Sequence, residues 1–323
     1  RQARIEAPGI LYHVIARGIE RKEIFRDPDD YEFFLSRLGR VLVDTETKCL
    51  AFCLMPNHIH LLIRSGRIPV STVMRRLLTG YAVCFNRKYD RVGHLFQNRY
   101  KSIICQEESY LLTLIRYIHL NPKRAGLVSG TEGLDSYLYA GHRALIGREK
   151  LHWYDTALAL SCFSGNVARA KDVYLDFLGA AADADEKQVL EGGGKIRSLG
   201  FLEALPGEPP VFDERILGDS DFVRSLTTLS AEPIDVIQTH PDEIMDKVGK
   251  RYGLSVEQIK GQGKSGDLNE ARALIAYLAV VRLGMSFAAT AGIMNLHRST
   301  VARLINKGRE VAAGMPVNKW LTR

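Results

Sequence analysis

The feature that most narrows the fold is a pair of β-rich runs, Leu50–Met55 and His58–Arg64, separated only by Pro56-Asn57. So short a connection forces an antiparallel hairpin, because parallel strands need a crossover of a dozen or more residues. Helical patterns lie on both sides of it. Upstream, Asp27-Pro28-Asp29-Asp30 starts a helix: Asp27 caps, Pro28 suits the first position, and the acids suit the positive helix end. Phe33, Phe34, Leu38, Val41 and Leu42 supply its apolar face. Downstream, Val70–Lys88 carries a stripe of Val70, Val73, Met74, Leu77, Leu78, Tyr81 and Phe85. Ile10–Ala16 and Arg99–Cys105 read as the first and fourth strands, and Glu108–Asn121 as a third helix stopped by Pro122. The order β-α-β-β-α-β-α predicts an α+β fold, a ferredoxin-like βαββαβ sheet with an added tyrosine-bearing helix.

Three regions follow from the pattern along the chain. Residues 1–130 form the sheet domain. Residues 131–235 read as helical connection (Thr156–Phe163, Asn166–Phe177) and linker, the linker centred on Gly192-Gly193-Gly194 and Leu205–Pro210. Residues 236–323 read as an all-α C-terminal domain.

Charge indicates the partner. The net charge is +7, and between Gly66 and Gly126 there are eleven Lys or Arg against three acids. Such a field attracts a polyanion, although a merely solvated surface has the same composition. The five cysteines, Cys49, Cys53, Cys84, Cys105 and Cys162, are odd in number and form no Cys-x-x-Cys pair. A disulfide framework or zinc site is therefore not expected, and a cytoplasmic location is. No run reaches the ~20 apolar residues of a membrane span, and the start shows no signal-like apolar core. Gly263-Lys264-Ser265 resembles the end of a phosphate-binding loop, but Gln258 stands where the first glycine is required.

His58-Ile59-His60 lies on the second hairpin strand. Alternation puts His58, His60, Leu62 and Arg64 on one face, so the two imidazoles can hold a divalent metal jointly. Structurally satisfied histidines fit the same pattern. On the third helix Tyr117 and Asn121 are spaced i and i+4 and share a side. Tyr117 lies roughly 110° from the centre of the Leu111, Leu114, Ile115, Ile118 stripe, which predicts that it emerges beside the sheet rather than under it. So placed, the pair supplies a nucleophile and a third metal oxygen. The alternative is a tyrosine packed for its area and an Asn121 that caps the helix end.

Three separated segments carry a resemblance: Pro56-Asn57-His58-Ile59-His60-Leu61-Leu62, Gly93–Ser102, and Arg116–Val128 with its Asn-Pro-Lys-Arg-Ala-Gly-Leu run. Together, over roughly residues 3–130, they resemble the REP-associated tyrosine transposases. Ile19 stands where many of those relatives have Asn. The resemblance implies that His58, His60 and Asn121 ligate Mg²⁺ or Mn²⁺ and that Tyr117 is the nucleophile. Tyr81, Tyr89, Tyr100 and Tyr110 lack the motif. It implies a metal-dependent single-stranded DNA endonuclease and strand transferase that forms a 5′-phosphotyrosine on repetitive palindromic hairpins. Arg99, Lys101, Arg116, Lys123 and Arg124 would neutralise phosphates. The unit would be a monomer or homodimer.

In the C-terminal region Leu268–Leu283 is a periodic helix, and Ser286–Arg303 has the rhythm of a helix-turn-helix. Ala291 is small at the helix contact, Asn295 suits a left-handed turn, and Val301 points inward. Pro241–Val311 is similar to the DNA-binding domain of the bacterial replication initiator. This implies that Arg298, Ser299, Thr300 and Arg303 meet flanking duplex DNA. Two other readings share these features: a domesticated, non-catalytic DNA-binding protein, and a nicking enzyme of the rolling-circle type.

Overall fold

Among the described residues five strands form one sheet: β1 (Leu11–Arg17), β2 (Lys48–Met55), β3 (His58–Arg64), β4 (Lys101–Cys105) and a two-residue β5 (Ile216–Leu217). Their spatial order is β2-β3-β1-β4-β5. β1 is antiparallel to both β3 and β4, β2 is antiparallel to β3, and β5 runs parallel to β4. The computed structural model describes residues 6, 9–180, 190, 213, 215–219, 222, 223, 226, 240–263, 265–283, 285, 287–313 and 315. The chain divides into two units. One comprises Leu11–Glu203 with Asp213–Gly218; the other comprises Asp219–Arg323 with Arg1–Ile10 and Ala204–Phe212. Both expected linker segments, Gly192-Gly193-Gly194 and Leu205–Pro210, lie outside the described residues.

Helix α1 (Pro28–Asp44) joins β1 to β2, α2 (Val70–Lys88) joins β3 to β4, and α3 (Glu107–His119) follows β4, succeeded by the short helices α4 (Asn121–Arg124), α5 (His142–Leu145) and α6 (Thr156–Ser161). The start of α1 forms as its sequence dictates, the Asp27 carboxylate accepting the Asp30 N–H at 3.0 Å. Phe34, Leu38, Val41 and Leu42 are buried, as are the seven stripe residues of α2. The Arg37 guanidinium ties the two helices by donating to the Leu77 carbonyl at 3.1 Å. Fully burying one such aliphatic or aromatic side chain stabilises by about 1.5–3 kcal/mol, so these two faces contribute substantially to the packing.

Residues 131–180 do more than connect. Leu54 N–H donates to Tyr139 O, Gly141 N–H to Phe52 O, and the Tyr154 hydroxyl to Leu50 O, which covers the edge of β2. A covered edge cannot recruit a second chain by strand pairing. Nor is the expected connecting region 131–235 purely helical: Ile216 and Leu217 extend the sheet as β5, with Ile104 N–H donating to Arg215 O and Gln106 N–H to Leu217 O. Two residues are too few to give a strand signal, and only the pairing with β4 creates one.

The C-terminal end of α3 is clamped by a buried polar chain. His142 Nε2 lies 2.9 Å from Asp135 Oδ1, and its Nδ1 lies 2.7 Å from the Tyr174 hydroxyl, on α7 (Val167–Ala180). That hydroxyl is also 2.9 Å from His119 Nδ1. A carboxylate only accepts, so His142 carries its proton on Nε2 and receives the Tyr174 O–H on Nδ1. The hydroxyl has one proton, so it must accept from His119 Nδ1. Burial disfavours both imidazolium forms and lowers both pKa values, His119 well below the usual range; for His142, Asp135 partly opposes the effect. Gly141 is required here, because a Cβ would sit 3.0 Å from His119 Nε2.

The second unit is helical in its described residues apart from turns: α8 (Pro241–Tyr252), α9 (Val256–Lys260), α10 (Gly266–Tyr277), α11 (Phe287–Met294) and α12 (Arg298–Ala313). Ser255 and Gln258 cap α9 reciprocally. Gly253 ends α8 at φ 64°. The expected helix Leu268–Leu283 breaks after Tyr277 into a single π turn, Leu278–Arg282. The Arg272 guanidinium satisfies the carbonyls of Ile259 at 2.8 Å and Gly263 at 3.0 Å. Between α11 and α12 Asn295 takes φ 53°, and Ala291 and Val301 are buried. Among the described residues no helix is long and apolar enough to cross a membrane.

Candidate active site

The site is built on the sheet face that carries His58 and His60. Strand register aligns His58 with Arg17, His60 with Ile15, and Leu62 with His13 on the neighbouring β1. His60 and His13 are fully buried, and His58 is half-buried at the strand's open end. The rings of His58 and His60 have centroids 5.0 Å apart. That is close enough for one nitrogen of each to reach a single ion at ~2.1 Å.

Each histidine is held by its Nδ1. For His58 the partner is Asn57 Oδ1 at 2.6 Å, and for His60 it is His13 Nε2 at 3.0 Å. The His13 and His60 rings stack, with centroids 5.3 Å apart. Sequence pattern alone assigns no role to His13 or to the Asn57 side chain. A signal existed for His13: an inward histidine in the otherwise apolar core of Leu11–Ala16 needs a buried partner.

Tyr117 does not emerge beside the sheet. It is only 2% exposed and packs over the histidine face, its ring 5.8 Å from that of His60 and 6.0 Å from that of His13, edge-on to both. The expected position is wrong because the sheet-facing side of α3 extends past its apolar stripe to include Tyr117. On another side Arg116 stacks on Phe177, 4.0 Å from the ring centroid, and His119 meets Tyr174. Asn121 is not in the same helix as Tyr117: α3 stops at His119, and Asn121 opens a short helix α4 (Asn121–Arg124). Its Nδ2 donates to Tyr117 O at 2.9 Å and Ile118 O at 3.3 Å, a cap on the end of α3. The amide oxygen is then the atom it can offer a ligand. Arg124 lies over the Tyr117 ring at 5.0 Å and donates to the Tyr117 carbonyl at 3.4 Å.

The remaining basic residues are dispersed. Lys101 is exposed at the head of β4, in one cross-strand row with Ile15 and His60, two strand spacings or roughly 10 Å from the latter. Arg99 is exposed in the loop before β4, which starts two residues later than the alternation suggested. Arg116 is engaged by α7 and Lys123 is half-buried. In the second unit Thr300 is half-buried and Arg303 exposed on α12. Arg298 and Ser299 lie in its first turn, and their side chains are outside the described set. Among the described residues no three His, Cys, Asp or Glu side chains gather as a metal cluster. Any ion here would therefore depend on an amide or on its own ligands beside the two imidazoles.

Residues 7–121 match the family described as IS200-like transposases. The matched segment runs through all four long strands and ends on Asn121, about a third of the chain. One solved structure with a similar chain is a REP-associated tyrosine transposase bound to a REP hairpin. It shares 15% identity, covers 52% of this chain and 92% of its own, and superposes with a TM-score of 0.39. No curated protein matches the chain.

Proposed function

We propose that the protein is a single-tyrosine DNA strand transferase of the IS200-like kind, acting on hairpin DNA through Tyr117. The reading rests on one observation: a tyrosine packed edge-on against His60, which neighbours His58 and, like it, has its Nδ1 engaged. The sheet itself reads as a split βαβ, ferredoxin-like frame that presents this face. His58 and His60, through Nε2, and Asn121, through its amide oxygen, fit a hard divalent ion such as Mg²⁺ or Mn²⁺. When bound, such an ion would neutralise charge on a phosphate and orient it.

The chain's own residues do the rest. Tyr117 Oη attacks the phosphorus. The P–O3′ bond breaks, the 3′ oxygen leaves as a hydroxyl, and the 5′ phosphate remains on tyrosine. The Tyr117 phenol must give up its proton as the bond forms, and the departing 3′ oxygen takes one up. The phosphotyrosine keeps the ester's energy, so the reverse attack by a 3′ hydroxyl rejoins strands. Arg124, already over the ring, and Lys101, on the same face, offset phosphate charge. In the second unit, α11 and α12 would act as a helix-turn-helix and hold flanking duplex through Thr300 and Arg303.

A second reading is favoured by the burial of Tyr117 and the capping role of Asn121: a DNA-binding protein that no longer cuts. One experiment separates them. Protein, Mn²⁺ and 3′-labelled single-stranded hairpin oligonucleotides are mixed and run on a denaturing gel. Label that migrates with the protein, and is lost in Tyr117→Phe, supports the transferase. Hairpin binding with no adduct on any substrate supports the non-catalytic reading.

A further inference from the structure

We infer that Asn57 and His13 are positioning residues that decide which ring nitrogen His58 and His60 present to a metal. The inference deepens the reading of those histidines as ligands and rests on it.

The Asn57 amide has only one orientation that satisfies both its contacts. One end faces the Arg21 carbonyl at 3.1 Å, which can only accept, so that end is the NH₂. The other end is then the oxygen, 2.6 Å from His58 Nδ1. An amide oxygen can only accept, so Nδ1 carries the proton and the lone pair sits on Nε2. The Arg21 carbonyl reaches this point because Glu20 and Arg21 both adopt left-handed backbone, φ 52° and 60°. Two consecutive non-glycine residues in that region are strained, and such strain persists only where the surroundings fix it. Here Gly18 N–H donates to Asn57 O at 2.9 Å, and Lys22 N–H to Ile19 O at 2.9 Å, which pins the turn to the hairpin.

His13 does the same for His60 from the other side. Both rings are fully buried, and one proton lies between His13 Nε2 and His60 Nδ1. A ligand on His60 Nε2 requires that proton to sit on His60 Nδ1, which makes His13 the acceptor and places its own proton on Nδ1. The stacked geometry, with planes 23° apart, also resists a flip of the His60 ring. Both partners therefore direct Nε2 toward the same task, as outer hydrogen-bonding groups around metal histidines do.

The test is a Mn²⁺ titration of the full chain followed by the electron paramagnetic resonance signal of unbound Mn²⁺. His13→Phe keeps a ring but removes the acceptor, and should weaken Mn²⁺ binding about 10–100-fold with far-UV circular dichroism unchanged. His13→Gln, whose amide oxygen can accept, should recover most of that loss. If His13→Phe does not fold, Asn57→Ala in the half-buried turn carries the same expectation. Affinities within twofold of wild type for whichever of these two variants fold, with binding abolished in His58→Ala, would overturn the positioning role and leave the metal reading standing. If wild type binds no Mn²⁺, or His58→Ala binds as well as wild type, the metal reading fails first and this inference falls with it.

Discussion

The Tyr117 ring meets the His60 ring edge-on, with centroids 5.8 Å apart and planes 84° apart. Helix α3 and strand β3 thus share one packed contact that joins the proposed nucleophile to a proposed ligand. Tyr117→Phe preserves the ring and this contact and removes only the hydroxyl. The expected outcome is complete loss of covalent adduct, with hairpin affinity in a gel-shift titration within about twofold of wild type, because the lost group acts in the bond-making step alone.

The two histidines should separate in stability though not in activity. His60→Ala removes a fully buried ring and strips His13 of its 3.0 Å bond. The cavity and the lost hydrogen bond together predict about 2–4 kcal/mol of destabilisation by urea unfolding. His58 is half-buried at a strand end, so His58→Ala should cost less than about 1 kcal/mol. Both variants should lose metal-dependent cleavage. Equal unfolding midpoints for the two would contradict the burial argument.

Much of this arrangement is legible in the sequence. The Pro56-Asn57 turn and strict alternation place His58 and His60 on one face without any structure, and the Asp27 cap forms as its residues dictate. The errors share a physical cause. A helical stripe reports which side of a helix is most apolar, not how many neighbours cover it. Arg116 and His119 bury a second side of α3 through a cation–ring contact and a hydrogen bond, neither of which has a periodic signature. Tyr117 itself faces the sheet, edge-on to the rings of His13 and His60, a contact that the apolar stripe does not report. His13 has no local pattern to mark it, because its partner lies 47 residues away on another strand. Strand β5 exists only through its pairing with β4.

The buried chain from Asp135 to His119 predicts acid sensitivity. The pKa of His142 is lowered in the folded state, chiefly by burial. Below its unfolded value of about 6.5 the unfolded chain therefore binds more protons than the folded one. Stability is complete above that pH and falls as pH drops through it, by at most ~1.4 kcal/mol per pH unit for one group. Urea midpoints at pH 7.5 and 5.5 should show the decline. His142→Gln should be less stable at pH 7.5 yet show a shallower loss on acidification. A slope as steep as that of wild type would assign the effect to other groups.

Arg303 tests the second unit without removing it. It is exposed on α12, following the left-handed Asn295 turn that sets the angle between α11 and α12. If α12 tracks a duplex backbone, Arg303→Ala should weaken binding to a hairpin with duplex flanks. It should also reduce the slope of log affinity against log salt by about one phosphate contact. Adduct formation on a bare single strand, which needs only the sheet face, should not change. Deletion of residues 238–323 extends the same logic: metal-dependent nicking persists and affinity for structured DNA falls. Unaltered affinity in the deletion would mean that α11 and α12 pack as a structural pair and that the sheet domain alone recognises the hairpin.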